Sequence, residues 1–111
     1  MSHLDTLDAR PSADGLAWAQ RLVRFNTVSH ESNLGVIECI ADHLRTLGVV
    51  PRLTWDDDRR KANLFATLGE GRPDGLILSG HTDTVPWDGQ AWSMDPLSGE
   101  VREDRKSTRL N

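Results

Sequence analysis

A histidine and an aspartate one residue apart, His81 and Asp83, follow a short apolar run in the stretch LILSGHTDTVP at residues 76–86. In extended backbone successive side chains alternate faces, so these two point the same way. Imidazole is a common metal ligand, and a carboxylate beside it either ligates too or accepts the other ring N–H and fixes the tautomer. Metal-assisted chemistry suits the pair. The bland alternative is a polar surface loop, because a His-x-Asp triplet is a short signal. What favours a site is the apolar run before it, read as a buried strand, since open α/β sheets place ligands beyond the carboxyl ends of their strands.

The other groups able to do chemistry have simpler readings. His3 falls in a polar leader, His30 in a polar loop and His43 on the outer part of a helix, and each reads as solvated. Asp56, Asp57 and Asp58 lack the ligand spacing and glycine of a calcium loop and read as a solvated turn. Trp87 and Trp92 either line a substrate cleft or cover the sheet. Cys39 is the one cysteine, so an internal disulfide is excluded, and its helical context makes it a packed small hydrophobe.

The elements that must position His81 and Asp83 follow from hydrophobic period. Ser12 or Asp14 caps a helix running to about residue 26, with Leu16, Ala19, Leu22 and Val23 near helical spacing. A second helix over residues 34–47 carries Val36, Ile37, Ile40, Ala41, Leu44 and Leu47 on one stripe. Ser32 or Asn33 offers its cap, and Gly48 stands where a left-handed end is expected. Residues 49–55 have strand character, with Pro51 marking an edge position or a late start, residues 56–60 a charged turn, and residues 62–68 a second strand. The GEGRPDG turn at residues 69–75 makes 62–68 and 76–79 expected antiparallel neighbours. Asp88 and Gly89 signal a turn, and residues 99–103 alternate weakly, as at the start of a hairpin. The fold class expected is α/β, a mixed sheet packed with helices.

With 111 residues and a formal net charge of −4, the chain fits one small globular domain. No basic patch suits nucleic acid and no apolar run is long enough to span a membrane. The first residues lack the charged-then-apolar order of a secretory signal, so a cytoplasmic location is the default expectation.

The string LSGHTDTVPWDGQAWSMDP resembles the first metal motif of the co-catalytic zinc hydrolases, the family of deacylases, aminoacylases and carboxypeptidases that share one fold. LVRFNTVSHESNLGVIECIADHLRTLGV and KANLFATLGE are similar to the N-terminal helices and first strands of its acetylornithine deacetylase branch, and SNL, KANL and VPWDGQAW favour that branch. The resemblance covers about residues 16–104. It implies a zinc-exopeptidase-like catalytic domain, with His81 as a zinc ligand and Asp83 as the acidic residue that orients it, counted as catalytic. It further implies two zinc ions per complete site, with cobalt(II) as an alternative. The substrate implied is a small N-acyl amino acid, N-acetylornithine cleaved to ornithine and acetate in arginine biosynthesis. A succinyl-diaminopimelate desuccinylase is the alternative within the family, and a non-catalytic binding domain the alternative outside it. A homodimer is one form expected of the full-length protein.

The resemblance also implies that the remaining metal ligands and the general base have no counterpart here. The chain is therefore expected to be an N-terminal fragment that is inactive and partly unfolded or aggregating alone. Residues 1–13 read as a leader and 14–105 as the start of the catalytic domain. The closing DRKSTRLN back-translates to a string resembling a widely used sequencing adapter, so residues 106–111 are expected to be a non-native tail.

Overall fold

Ser12 starts the first helix as its residue type predicts, with its hydroxyl accepting the Gly15 N–H at 3.0 Å. The structure, a computed structural model, describes residues 12–101. Most of the expected leader, His3 and the expected non-native tail lie outside them. Within the described residues the chain divides into two units, 12–24 with 90–101, and 25–89.

In the first unit, α1 spans Ala13–Val23, three residues shorter than its apolar spacing suggests, and none of its residues is fully buried. Gln20 Nε2 donates to the Gly99 carbonyl at 2.9 Å, and Arg24 Nε to the Ser98 carbonyl at 3.1 Å. Gly99 has φ +64°, and a Cβ there would meet the Gln20 carbonyl oxygen at 3.0 Å, so the close approach needs a glycine. The described part of the expected hairpin, residues 99–101, forms no strand, and residues 102 and 103 lie outside the described residues.

The second unit holds α2 (Leu34–Thr46), β1 (Arg52–Trp55) and β2 (Ala62–Phe65). Of the predicted stripe on α2, Val36, Ile37 and Ala41 are buried, Ile40 and Leu44 half-buried and Leu47 exposed. Gly48 ends the helix at φ +76°, a backbone that glycine adopts without strain. Cys39 is half-buried. The core of this unit is Val28, Val36, Ile37, Ala41 and Ala62, against which α2 packs on β2. Each fully buried Val or Ile contributes on the order of 2 kcal/mol.

β1 begins after Pro51, as the missing proline N–H predicts, and pairs antiparallel with β2 in the register Arg52 with Phe65 and Trp55 with Ala62. The charged turn between them is built on Asp56. Its backbone N–H donates to the Lys61 carbonyl at 3.1 Å, and its Oδ1 accepts the N–H groups of Arg60 and Lys61 at 2.8 and 3.0 Å. Arg59 stands at φ 55° with its guanidinium 4.8 Å from the Trp55 ring centroid. The three aspartates are exposed, as expected of a solvated turn.

Two sheet expectations are corrected. Among the described residues the neighbour of β2 is β1, not residues 76–79, and the sheet is a two-stranded antiparallel pair rather than a mixed one. Residues 76–80 form no strand, and Leu76, Ile77 and Leu78 are 86, 79 and 88 % exposed. An unbroken apolar run becomes a buried strand only with ladder partners beside it and cover on both faces. Among the described residues neither is offered to these three.

Candidate functional site

The site grows from the segment after α1. Asn26 Oδ1 accepts the Val28 N–H at 3.2 Å, turning the chain so that Thr27 and Val28 are buried. Val28 then forms a parallel bridge with Thr84: the Thr84 N–H donates to the Thr27 carbonyl at 2.9 Å, and the Ser29 N–H to the Thr84 carbonyl at 3.0 Å. Lys61 Nζ donates to the Ser29 carbonyl and Ser32 Oγ to the Arg60 carbonyl. Arg60 and Lys61, just before β2, thereby anchor residues 29–32, and residues 27–29 in turn hold residue 84.

Asp83, one residue earlier, receives two side-chain donors. His81 Nδ1 lies 2.9 Å from its Oδ1 and 3.1 Å from its carbonyl oxygen, while Ser29 Oγ donates to its Oδ2 at 3.3 Å. An ionised carboxylate only accepts, so the imidazole nitrogen facing it carries a proton, and in the neutral ring Nε2 then keeps its lone pair. The hydrogen bond from His81 holds the Asp83 carboxyl below the usual carboxylate range, with Ser29 adding to the effect. The imidazole is 84 % exposed, which leaves Nε2 accessible from solvent.

The two residues singled out by spacing are thus brought together, with His81 Nδ1 2.9 Å from Asp83 Oδ1. Their carrier is different from the one expected, a loop stitched to residues 27–29 in place of a buried strand end. His30 is exposed, with Nε2 3.6 Å from Glu31, and His43 is exposed. Trp87 and Trp92 are half-buried, and residues 88 and 89 form the predicted turn, with Gly89 at φ 78°. Ser29 and Thr84 were not legible as site residues. Ser29 and Asp83 are 54 positions apart in the chain, and nothing local to either names the other.

Zinc sites take three or four protein donors. Among the described residues no group of three or more His, Cys, Asp and Glu side chains could hold a metal ion. His81 offers one donor nitrogen to such a set. Near β2, an open concavity of about 950 Å³ is lined by Phe65, Leu68, Leu76, Ile77 and Leu78 among others, and neither His81 nor Asp83 reaches it. Among the described residues, Thr84 Oγ1 is the buried side-chain polar atom with no hydrogen-bond partner. No helix among them is long and apolar enough to cross a membrane.

Comparison with known proteins finds relatives by sequence. An acetylornithine deacetylase of Pasteurella multocida is 47 % identical over 71 residues, which cover 60 % of this chain and 18 % of that protein. One from Proteus mirabilis is 42 % identical over 76 residues, 68 % of this chain and 19 % of the relative. A succinyl-diaminopimelate desuccinylase of Ehrlichia canis is 35 % identical over 94 residues, 82 % of this chain and 24 % of the relative. The matched stretch therefore spans between 18 and 24 % of these relatives' length. No family model matches the chain, and no solved structure does.

Proposed function

We propose, for a chain that belongs to the family of acetylornithine deacetylases and succinyl-diaminopimelate desuccinylases, that it forms part of a metal-dependent amide hydrolase with a zinc-exopeptidase-like catalytic domain. The observation that carries this reading is the 2.9 Å contact between His81 Nδ1 and Asp83 Oδ1, which leaves Nε2 as an exposed donor. His81 is the metal ligand in this proposal and Asp83 the residue that holds its ring and tautomer. The cofactor is zinc, two ions per complete site, with cobalt(II) as an alternative. The other donors and the general base are proposed to come from outside the described residues.

The substrate proposed is a small N-acyl amino acid, first of all N-acetylornithine, cleaved to ornithine and acetate as a step of arginine biosynthesis in the cytoplasm. The higher identities, to the deacetylases, support the acetyl group. A second reading, removal of a succinyl group, is favoured by the longer match, to the desuccinylase. The full-length protein is proposed to act as a homodimer.

The test is His81→Ala in the full-length protein. The reading expects zinc content and hydrolysis rate to fall together, the rate by about 100-fold or more, since loss of even a second-shell partner costs 10–100-fold. A variant that keeps its rate sinks the proposal, and relative rates on acetyl and succinyl substrates choose between its two forms.

A further inference from the structure

We propose that Ser29 is a positioning residue for the His81–Asp83 pair: its hydroxyl, donating to Asp83 Oδ2, holds the carboxylate with Oδ1 turned to the imidazole and so selects the protonated ring nitrogen. The inference rests on reading that pair as functional.

The Asp83 side chain is 62 % exposed, and a carboxylate in that setting rotates unless both oxygens are engaged. Here a donor sits on each. Ser29 can do this because its backbone is already placed, by its N–H on the Thr84 carbonyl and by Lys61 Nζ on its own carbonyl. Its hydroxyl has a single proton and also lies 3.1 Å from the Thr84 carbonyl oxygen. That oxygen already accepts the Ser29 N–H, whereas the ionised carboxylate is the stronger acceptor and gains a charge-assisted bond. The hydroxyl thus acts beyond the stitching of residue 29 to residue 84, which the backbone performs without it.

The full-length protein, freed of metal and with 15N-labelled histidine, provides the test. Long-range 1H–15N correlations of the neutral imidazole read the ratio of the two His81 tautomers. The wild-type chain is expected to favour the proton on Nδ1. Ser29→Ala, which keeps the backbone bridge, is expected to lower that ratio about threefold, the scale of one solvent-exposed hydrogen bond. Ser29→Thr, which keeps a hydroxyl, is expected to restore the ratio, and hydrogen exchange at the Thr84 amide is expected to stay unchanged in both variants. An unchanged ratio in Ser29→Ala overturns the proposal, as does a wild-type chain without the Nδ1 preference. Loss of protection at Thr84, or unfolding of Ser29→Ala, assigns Ser29 a structural role and overturns it equally. None of these readings involves hydrolysis, so failure of the proposed function is seen separately, in an undiminished rate of His81→Ala in the full-length protein.

Discussion

Asn33 and Ala62 exchange two hydrogen bonds of 2.9 Å, Asn33 Nδ2 to the Ala62 carbonyl and the Ala62 N–H to Asn33 Oδ1. The side-chain amide takes the place of a backbone partner at the first residue of β2, where Ala62 is 3 % exposed. Asn33→Ala leaves a buried N–H and C=O of Ala62 without partners. The expected loss is about 2 kcal/mol, with strong loss of protection at the Ala62 amide in hydrogen exchange. Asn33→Asp keeps the acceptor and loses the donor, and is expected to fall between the two.

This pair also marks how far the sequence could be read. Asn33 was legible as a residue of the kind that caps α2, yet it makes no side-chain cap bond there and spends its amide on Ala62. The cap-type hydroxyl comes from Ser32, which accepts the Leu34 N–H at 3.2 Å. Local features were readable from residue type: the left-handed Gly48 outright, the cap as Ser12 or Asp14, and Pro51 as an edge position or the late start that β1 shows. Pairing was not. A strand of four residues carries a pattern but no label for its neighbour: the short turn suggests residues 76–79 beside β2, whereas its partner is β1. His81 and Asp83 were legible because two positions suffice to bring them together. The bridge of Val28 to Thr84 that supports them joins distant segments and leaves no mark in either.

Thr84 carries a hydroxyl that its surroundings do not use. A buried polar atom without a partner costs free energy that its apolar isostere does not. Thr84→Val retains the shape and both backbone bonds of the bridge, and is expected to be neutral or stabilising by up to about 1 kcal/mol in urea unfolding. A clear loss of stability would show that the hydroxyl has a partner in solution.

Asp56 gives the hairpin of β1 and β2 an acid dependence of known sign. The Lys61 N–H, then that of Arg60, hold its carboxyl below the usual value against the opposing effect of desolvation. A carboxyl lowered on folding contributes stability that is fully present above its unfolded pKa and lost as pH falls through the folded one. The hairpin is therefore expected to weaken below about pH 4, with the Arg60 and Lys61 amide shifts titrating at a midpoint under the ordinary aspartate value. Asp56→Asn is expected to abolish that titration while the rest of the amide spectrum keeps its pH response. A midpoint at or above the ordinary value contradicts the assignment.

Leu76, Ile77 and Leu78 place three consecutive large apolar side chains in water, each at least 79 % exposed, and Phe65 and Leu68, also exposed, line the same concavity. Contiguous apolar surface of this kind drives association, because each side chain covered recovers on the order of 2 kcal/mol of transfer free energy. The chain is expected to bind a hydrophobic dye and to self-associate as its concentration rises. Ile77→Lys puts a charge at the centre of the run without touching any hydrogen bond that holds His81, Asp83 or Ser29. It is expected to lower both dye binding and the light-scattering mass, leaving the His81 tautomer ratio as it was. Equal dye binding by the two chains would mean that these residues are covered in solution, with a partner strand beside them after all.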